Sequence, residues 1–156
     1  MENENQTLLM SVLGLQHTFF RSIHAQLHET NVHPRQGPIL SLLLRHEGFS
    51  QADLTREMNV SAATVAVSVS RLEKLGFVTR VRNQNNQRAN ILALTPSGRQ
   101  EALRLQDIMQ QAMQAAVQGF TDEEIKEMAG FFLRMQENLH KQFGIKERNK
   151  NHAPNV

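Results

Sequence analysis

The sequence predicts a mainly α fold carrying one small β-hairpin, and three observations predict it. Long stretches near both ends repeat apolar residues at three- and four-residue spacing, the period of a helix packed along one face. Between residues 50 and 76 two short helical patterns, SQADLTREMN and SAATVAVSVSRLEKLG, stand back to back. Two strand-like runs, FVTRVR and NILALT, then flank a polar tip, NQNNQRA. Helix, tight turn, helix and basic hairpin is the element order of a winged helix-turn-helix. Such a unit puts one helix into a major groove and reaches an adjacent groove or the backbone with the hairpin. The expected chain is one unit over residues 1–145. Within it, 30–98 form the winged helix-turn-helix lobe and 7–29 with 96–143 a helical dimerisation lobe. A flexible tail, 146–156, follows.

The first helix is expected over 7–29, where Leu8, Val12, Leu15, Phe19 and Ile23 recur on one face. The second, over 35–46, has Pro34 and Pro38 in or near its first turn, where a missing N–H is tolerated. Its set Ile39, Leu40, Leu42, Leu43 and Leu44 is apolar almost all round, which marks a buried central helix ended by Gly48. Ser50 can cap the third helix, with Asp53 three residues on as in a capping box. Leu54 and Met58 face inward, and Asn59 tolerates the left-handed backbone of a tight turn.

Ser61 can cap the fourth helix, with Val65, Val69 and Leu72 as its inner stripe and Gly76 as its stop. Its opposite face shows Ala63, Thr64, Val67 and Arg71. Thr95-Pro96 is a cap followed by proline at the first helical position, and starts a helix running to about Gly119. Thr121 and Glu124 form a second capping box. It opens a last helix with Ile125, Met128, Phe132, Met135 and Leu139 on one stripe, closed by Gly144.

Charge is unevenly distributed. From Lys74 to Gln100 there are five cations, Lys74, Arg80, Arg82, Arg88 and Arg99, and no acid. The other residues hold 12 basic and 15 acidic side chains, so the net +2 conceals a local positive patch on the hairpin. Without cysteine there is no disulfide and no thiolate redox sensing. No apolar run approaches the ~20 residues of a membrane span, and MENENQTLLM lacks the basic start of a secretory signal. A cytoplasmic location is the default expectation, with no membrane partner and no cofactor.

The words LTREMNVSAATVAVSVSRLEKLGFVTR and QRANILALTPSGR, in this order of elements, resemble the MarR/SlyA family of transcription regulators. The resemblance covers roughly residues 8–143 and is most specific from Leu54 to Gly98. It implies an obligate homodimer on a palindromic double-stranded operator, acting as a repressor that a small aromatic or phenolic ligand releases. Ala63, Thr64 and Val67 match the family's base-reading positions. Thr64 can hydrogen-bond a base edge, whereas Val67 can only touch a thymine methyl. Ser61 and Ser70 could bond phosphates, and Arg71, Arg80 and Arg82 join them as DNA-contacting candidates. Arg88 matches the wing-tip arginine that reaches a minor groove. Asn86 stands where relatives usually have an aspartate bracing it, so here the brace carries no charge.

The first and the last two helices are amphipathic and need a partner for their apolar faces, and a second copy is the economical one. The dimerisation candidates are Leu8, Val12, Phe132, Leu139 and Phe143, the last two lying where the resemblance puts inter-subunit packing. It also puts a ligand pocket where helices one, two and five meet. His17, Phe20, Arg21 and His24 lie near that junction, with Arg21 to grip a carboxylate and Phe20 to stack on a ring.

Three other readings compete. His24 and His28 have the i, i+4 spacing of helical zinc ligands, with His17 on the same side of the helix. A zinc-responsive regulator would need further ligands from His17, His33, His46, Glu29 or a partner chain, and the expected metal set is none. An enzyme is not expected, because no nucleophile–base spacing, phosphate loop or HExxH word occurs. A winged helix serving protein contacts alone would not need the basic wing.

Overall fold

The structure, a computed structural model, describes residues 2–27, 32, 36–82 and 90–144. Among the described residues six helices and one hairpin follow in the order α1 Glu2–Gln26, α2 Gly37–Arg45, α3 Gln51–Met58, α4 Ala62–Lys74, β1 Val78–Arg82, β2 Asn90–Leu94, α5 Pro96–Ala116 and α6 Asp122–Phe143. The expected mainly α architecture with a small hairpin is what forms. By packing, Met1–Ala116 is one compact unit and Val117–Val156 a second.

Local chemistry explains most boundaries. Ser50 and Asp53 make a full capping box: Asp53 N–H donates to Ser50 Oγ at 3.2 Å and Ser50 N–H to Asp53 Oδ2 at 2.8 Å. Two of the orphan donors at the start of α3 are thereby satisfied. Asn59 ends α3 in the left-handed region, φ 51°, and turns the chain into α4. Thr121 and Glu124 repeat the box at α6. Pro38 sits in the first turn of α2, as expected.

Three helix boundaries differ from expectation. α1 starts at Glu2 rather than residue 7, because its polar start carries no apolar period to read yet is helix-compatible; Thr7 Oγ1 donates back to the Asn3 carbonyl at 2.8 Å. The helix is described to Gln26, and residues 28 and 29 of the expected span lie outside the described residues. α2 is capped at its end by His46 rather than by Gly48, which instead takes φ +87° in the following turn. α5 stops at Ala116 rather than near Gly119, and Phe120 N–H closes a turn on the Val117 carbonyl.

The core of the first unit surrounds α2. Ile39, Leu40 and Leu43 are fully buried there with Leu54, Val65, Val69, Leu72 and Leu92. α1 adds Ile23 and Leu27, and α5 adds Ala102, Leu105, Ile108 and Ala112, so both helices close over the helix-turn-helix. Burying each large side chain contributes roughly 1.5–3 kcal/mol, which makes α2 the element the unit is organised on. β1 and β2 pair antiparallel, with Val78 opposite Leu94, Arg80 opposite Leu92 and Arg82 opposite Asn90. Leu92 N–H also donates to the Phe49 carbonyl at 2.8 Å, tying the hairpin to the loop before α3. Among the described residues no helix is long and apolar enough to cross a membrane.

Candidate nucleic-acid interface

α4 separates an inner from an outer face. Val65, Ser68, Val69 and Leu72 are buried, while Ala63, Thr64, Val67, Ser70 and Arg71 are exposed. That outer face is what a major groove would meet, at a helix length of roughly 20 Å. Its entry is fixed by Ser61, whose Oγ accepts the Thr64 N–H at 3.2 Å. The two hydroxyls, Ser61 Oγ and Thr64 Oγ1, also lie 2.8 Å apart. One hydrogen serves that contact and the other hydroxyl hydrogen stays available outward. Val67, 54% exposed, offers an apolar surface of the size a thymine methyl fills.

The positive patch is smaller in space than along the chain. Arg80 donates from Nε to Glu73 Oε1 at 2.8 Å and from Nη2 to Oε2 at 3.2 Å. Arg99 Nη2 donates to Glu47 Oε1 at 2.7 Å. Both acids lie outside the acid-free window from Lys74 to Gln100, so a count along the chain misses them. Among the described residues, Lys74, Arg71 and Arg82 pair with no carboxylate and remain for an anionic partner. Asn86 and Arg88, expected at the wing tip, lie outside the described residues.

The wing is joined to α5 by the segment Leu94–Gly98. Thr95 Oγ1–H donates to the Gly76 carbonyl at 2.6 Å, and Ser97 Oγ–H to the same carbonyl at 3.0 Å. Thr95 N–H reaches the Phe77 carbonyl at 3.0 Å, and Gly98 N–H donates to Thr95 Oγ1 at 3.0 Å. The LTPSG word is therefore a set of hydrogen bonds joining the entry to β1 with the exit from β2.

Away from this face the candidates scatter. His17, Phe20, Arg21 and His24 follow one another at i, i+3, i+4 and i+7 and are all exposed. The α1 residues that meet the core are Phe19, Ile23 and Leu27, on the adjoining stripe of the helix. The four therefore share one exposed face of α1. No group of three or more His, Asp or Glu gathers to hold a metal ion among the described residues. His46 stacks on Phe49 at 5.1 Å, and His28, Glu29 and His33 lie outside the described residues.

Apolar side chains expected to need a partner are open in the single chain. On α1, Leu8, Leu9, Met10, Leu13 and Leu15 are exposed and Val12 is half-buried. On α6, Phe131, Phe132, Leu133, Leu139 and Phe143 are exposed. A one-stripe reading catches Leu8, Val12, Phe132, Leu139 and Phe143 but misses their neighbours. The signal for these was the runs Leu8-Leu9-Met10 and Phe131-Phe132-Leu133, which exceed what one stripe can hold.

A family model described as MarR family matches residues 30–89. The chain is 31% identical over 99 residues to YwhA of Bacillus subtilis, named as an uncharacterized HTH-type transcriptional regulator; the match covers 64% of this chain and 69% of YwhA. Among solved structures, a Listeria monocytogenes protein described as a MarR family transcriptional regulator, in complex with a 26mer DNA, superposes with TM-score 0.73 at 21% identity. It covers 89% of this chain and 96% of its own. MepR, a transcription regulator of the Staphylococcus aureus multidrug efflux pump MepA, superposes with TM-score 0.68 at 22% identity, covering 83% and 96%. At these identities the two structures speak for the fold.

Proposed function

The chain belongs to the MarR family of transcriptional regulators, and from that premise we propose that it binds a palindromic operator as a homodimer and represses until a small aromatic or phenolic ligand releases it. The observation that carries the DNA-binding part is the outer face of α4. It is a capped helix with Ala63, Thr64, Val67, Ser70 and Arg71 exposed together, beside a strand whose Arg82 has no carboxylate partner among the described residues. Thr64 and Val67 read base edges, and Ser61, Ser70, Arg71 and Arg82 position the helix on phosphates. Asn86 and Arg88 extend the wing's contact toward a minor groove.

The dimer reading is supported by the apolar face of α1 and by that of α6. Leu8, Phe132, Leu139 and Phe143, with half-buried Val12, are the packing residues, because exposed apolar area on this scale marks an interaction surface. Two copies would set two α4 helices one DNA turn apart, about 34–36 Å. The effector part rests on the face of His17, Phe20, Arg21 and His24. A ligand there acts only by its differential affinity for DNA-competent and DNA-incompetent arrangements.

The test is a mobility-shift titration of the purified protein against its own promoter region, repeated across a salt series. Specific binding whose affinity falls steeply with salt, lost on scrambling the protected sequence, is the expected result. Equal affinity for promoter and scrambled duplex would overturn sequence-specific regulation by this face.

A further inference from the structure

The two arginines of β1 are chemically alike, two residues apart, and held differently. Arg80 donates from Nε and Nη2 to the two carboxylate oxygens of Glu73, at 2.8 and 3.2 Å. Such a two-point pair fixes direction as well as proximity. Glu73 is in the last turn of α4, so the bridge joins the helix with the outer reading face to the wing. The hairpin register explains why Arg80 reaches it. Arg80 stands opposite Leu92 and on the same face as Val78, both buried, so its stem runs along the core side of the sheet. Arg82 is two residues further along that face, opposite exposed Asn90, and pairs with no carboxylate among the described residues.

We propose that Arg80 is a positioning residue, anchored by Glu73, that sets the wing against α4, while Arg82 is the strand arginine that neutralises a phosphate. The proposal rests on the DNA-binding reading above and deepens it. A phosphate approaching Arg80 would have to displace the Glu73 carboxylate or settle beside a like charge. With Glu73 in place, Arg80 releases no counterion from DNA, so it adds nothing to the salt dependence of binding. Its effect on affinity comes through the geometry of the wing instead.

The experiment uses the full chain, a fluorescent duplex of its own promoter region, and a salt series. Arg82→Gln is expected to lower the slope of log affinity against log salt by about 1. Arg80→Gln is expected to leave the slope unchanged, and Arg80→Gln and Glu73→Gln each to weaken binding by about two- to fivefold, with the double variant no weaker than either. The exchanged pair, Glu73→Arg with Arg80→Glu, is expected to bind more tightly than Arg80→Glu alone. A slope lowered by Arg80→Gln, tighter binding by Glu73→Gln, or an exchanged pair no better than Arg80→Glu would overturn the proposal.

Hydrogen exchange of the free protein gives a second measurement that needs no DNA. Amides of Val78–Arg82 should exchange faster in Glu73→Gln and in Arg80→Gln, with those of α2 unchanged. Unaltered wing exchange in both variants overturns the bridge as a positioning device. Absence of any salt-dependent binding by the wild type would instead remove the DNA-binding reading, with the exchange result still deciding the bridge.

Discussion

Gly98 lies against the carbonyl group of Phe77 so closely that a β-carbon at residue 98 would overlap the Phe77 oxygen. This contact, with the Thr95 and Ser97 hydroxyls on the Gly76 carbonyl, seats the first turn of α5 on the end of α4 and the start of β1. The glycine is required by close approach, not by its backbone angles.

Gly98→Ala should therefore destabilise the protein by about 1–3 kcal/mol, the usual range when a packed site must shift to admit a methyl group. Gly14, in α1, meets nothing within 4 Å of a built β-carbon. Gly14→Ala should stabilise by about 0.5–1 kcal/mol, because alanine loses less backbone entropy in a helix. Urea midpoints of the two variants should move in opposite directions, and a harmless Gly98→Ala would dismiss the packing argument.

Ser61 and Thr64 should separate folding from recognition. Ser61→Ala removes the cap of α4 and should cost about 1 kcal/mol of stability. Thr64→Ala removes the outward hydroxyl and should cost on the order of 1 kcal/mol on the operator and much less on random DNA. Thr64→Ser keeps the hydroxyl and should recover most of that loss. Equal losses by Thr64→Ala on operator and random duplexes would mean that this face does not read bases.

What the sequence disclosed and what it hid divide by distance along the chain. The capping boxes at Ser50–Asp53 and Thr121–Glu124, the left-handed Asn59 and the inner stripe of α4 depend on residues within four positions of one another, and each was readable. The pairing of Arg99 with Glu47 spans 52 positions, and no periodicity reports it. Glu73 and Arg80 are seven apart but on different elements, so their meeting needs the turn at Gly76 and the hairpin register. The face of Phe20 and Arg21 was readable as a face. How far that face is covered was not, because it adjoins the stripe of Phe19, Ile23 and Leu27 that meets the core.

The start of α3 should be sensitive to acid. Burial alone would raise the Asp53 carboxyl, but hydrogen bonds from Ser50 Oγ–H and N–H, with the Arg56 guanidinium, hold it below its usual 3.8. A carboxyl lowered in the folded state contributes stability that is complete above the unfolded value and is lost as pH falls through the folded one. The contribution should thus be constant near neutrality, begin to fall below 3.8 and vanish only below the lowered value of the folded state. Asp53→Asn should be less stable than wild type at about pH 7, with the gap narrowing toward about pH 3. Urea denaturation at the two pH values reads this directly, and a gap that widens with acid would contradict the sign.

Leu139 and Phe143 should control assembly. Both are largely exposed in the single chain, at 51% and 68%, so neither is needed to fill a core within it. Replacing both by Glu would put charge into an apolar seam between copies, which is costly without partners. The expected product is a folded monomer by sedimentation and circular dichroism, with operator affinity reduced by at least about tenfold through loss of the second half-site. An intact dimer that still binds operator would move the interface elsewhere.

The signal is reached through Arg21 and Phe20. With His17 and His24 they form one exposed face of α1, adjoining the stripe of Ile23 and Leu27. A ligand held by one helix face has only half a wall, so an enclosed site there requires a second surface, which a partner copy could provide. The guanidinium can grip a carboxylate at two points, and the Phe20 ring, 52% exposed, can stack on an aromatic one. Aromatic carboxylates should then release operator DNA from the wild type at lower concentration than from Arg21→Ala, by about tenfold or more for loss of a charged contact. Neutral phenols should lose more with Phe20→Ala than with Arg21→Ala. Operator release titrated over a panel of both compound classes reads these shifts. A carboxylate that acts on wild type and Arg21→Ala at the same concentration would show that its anchor lies elsewhere.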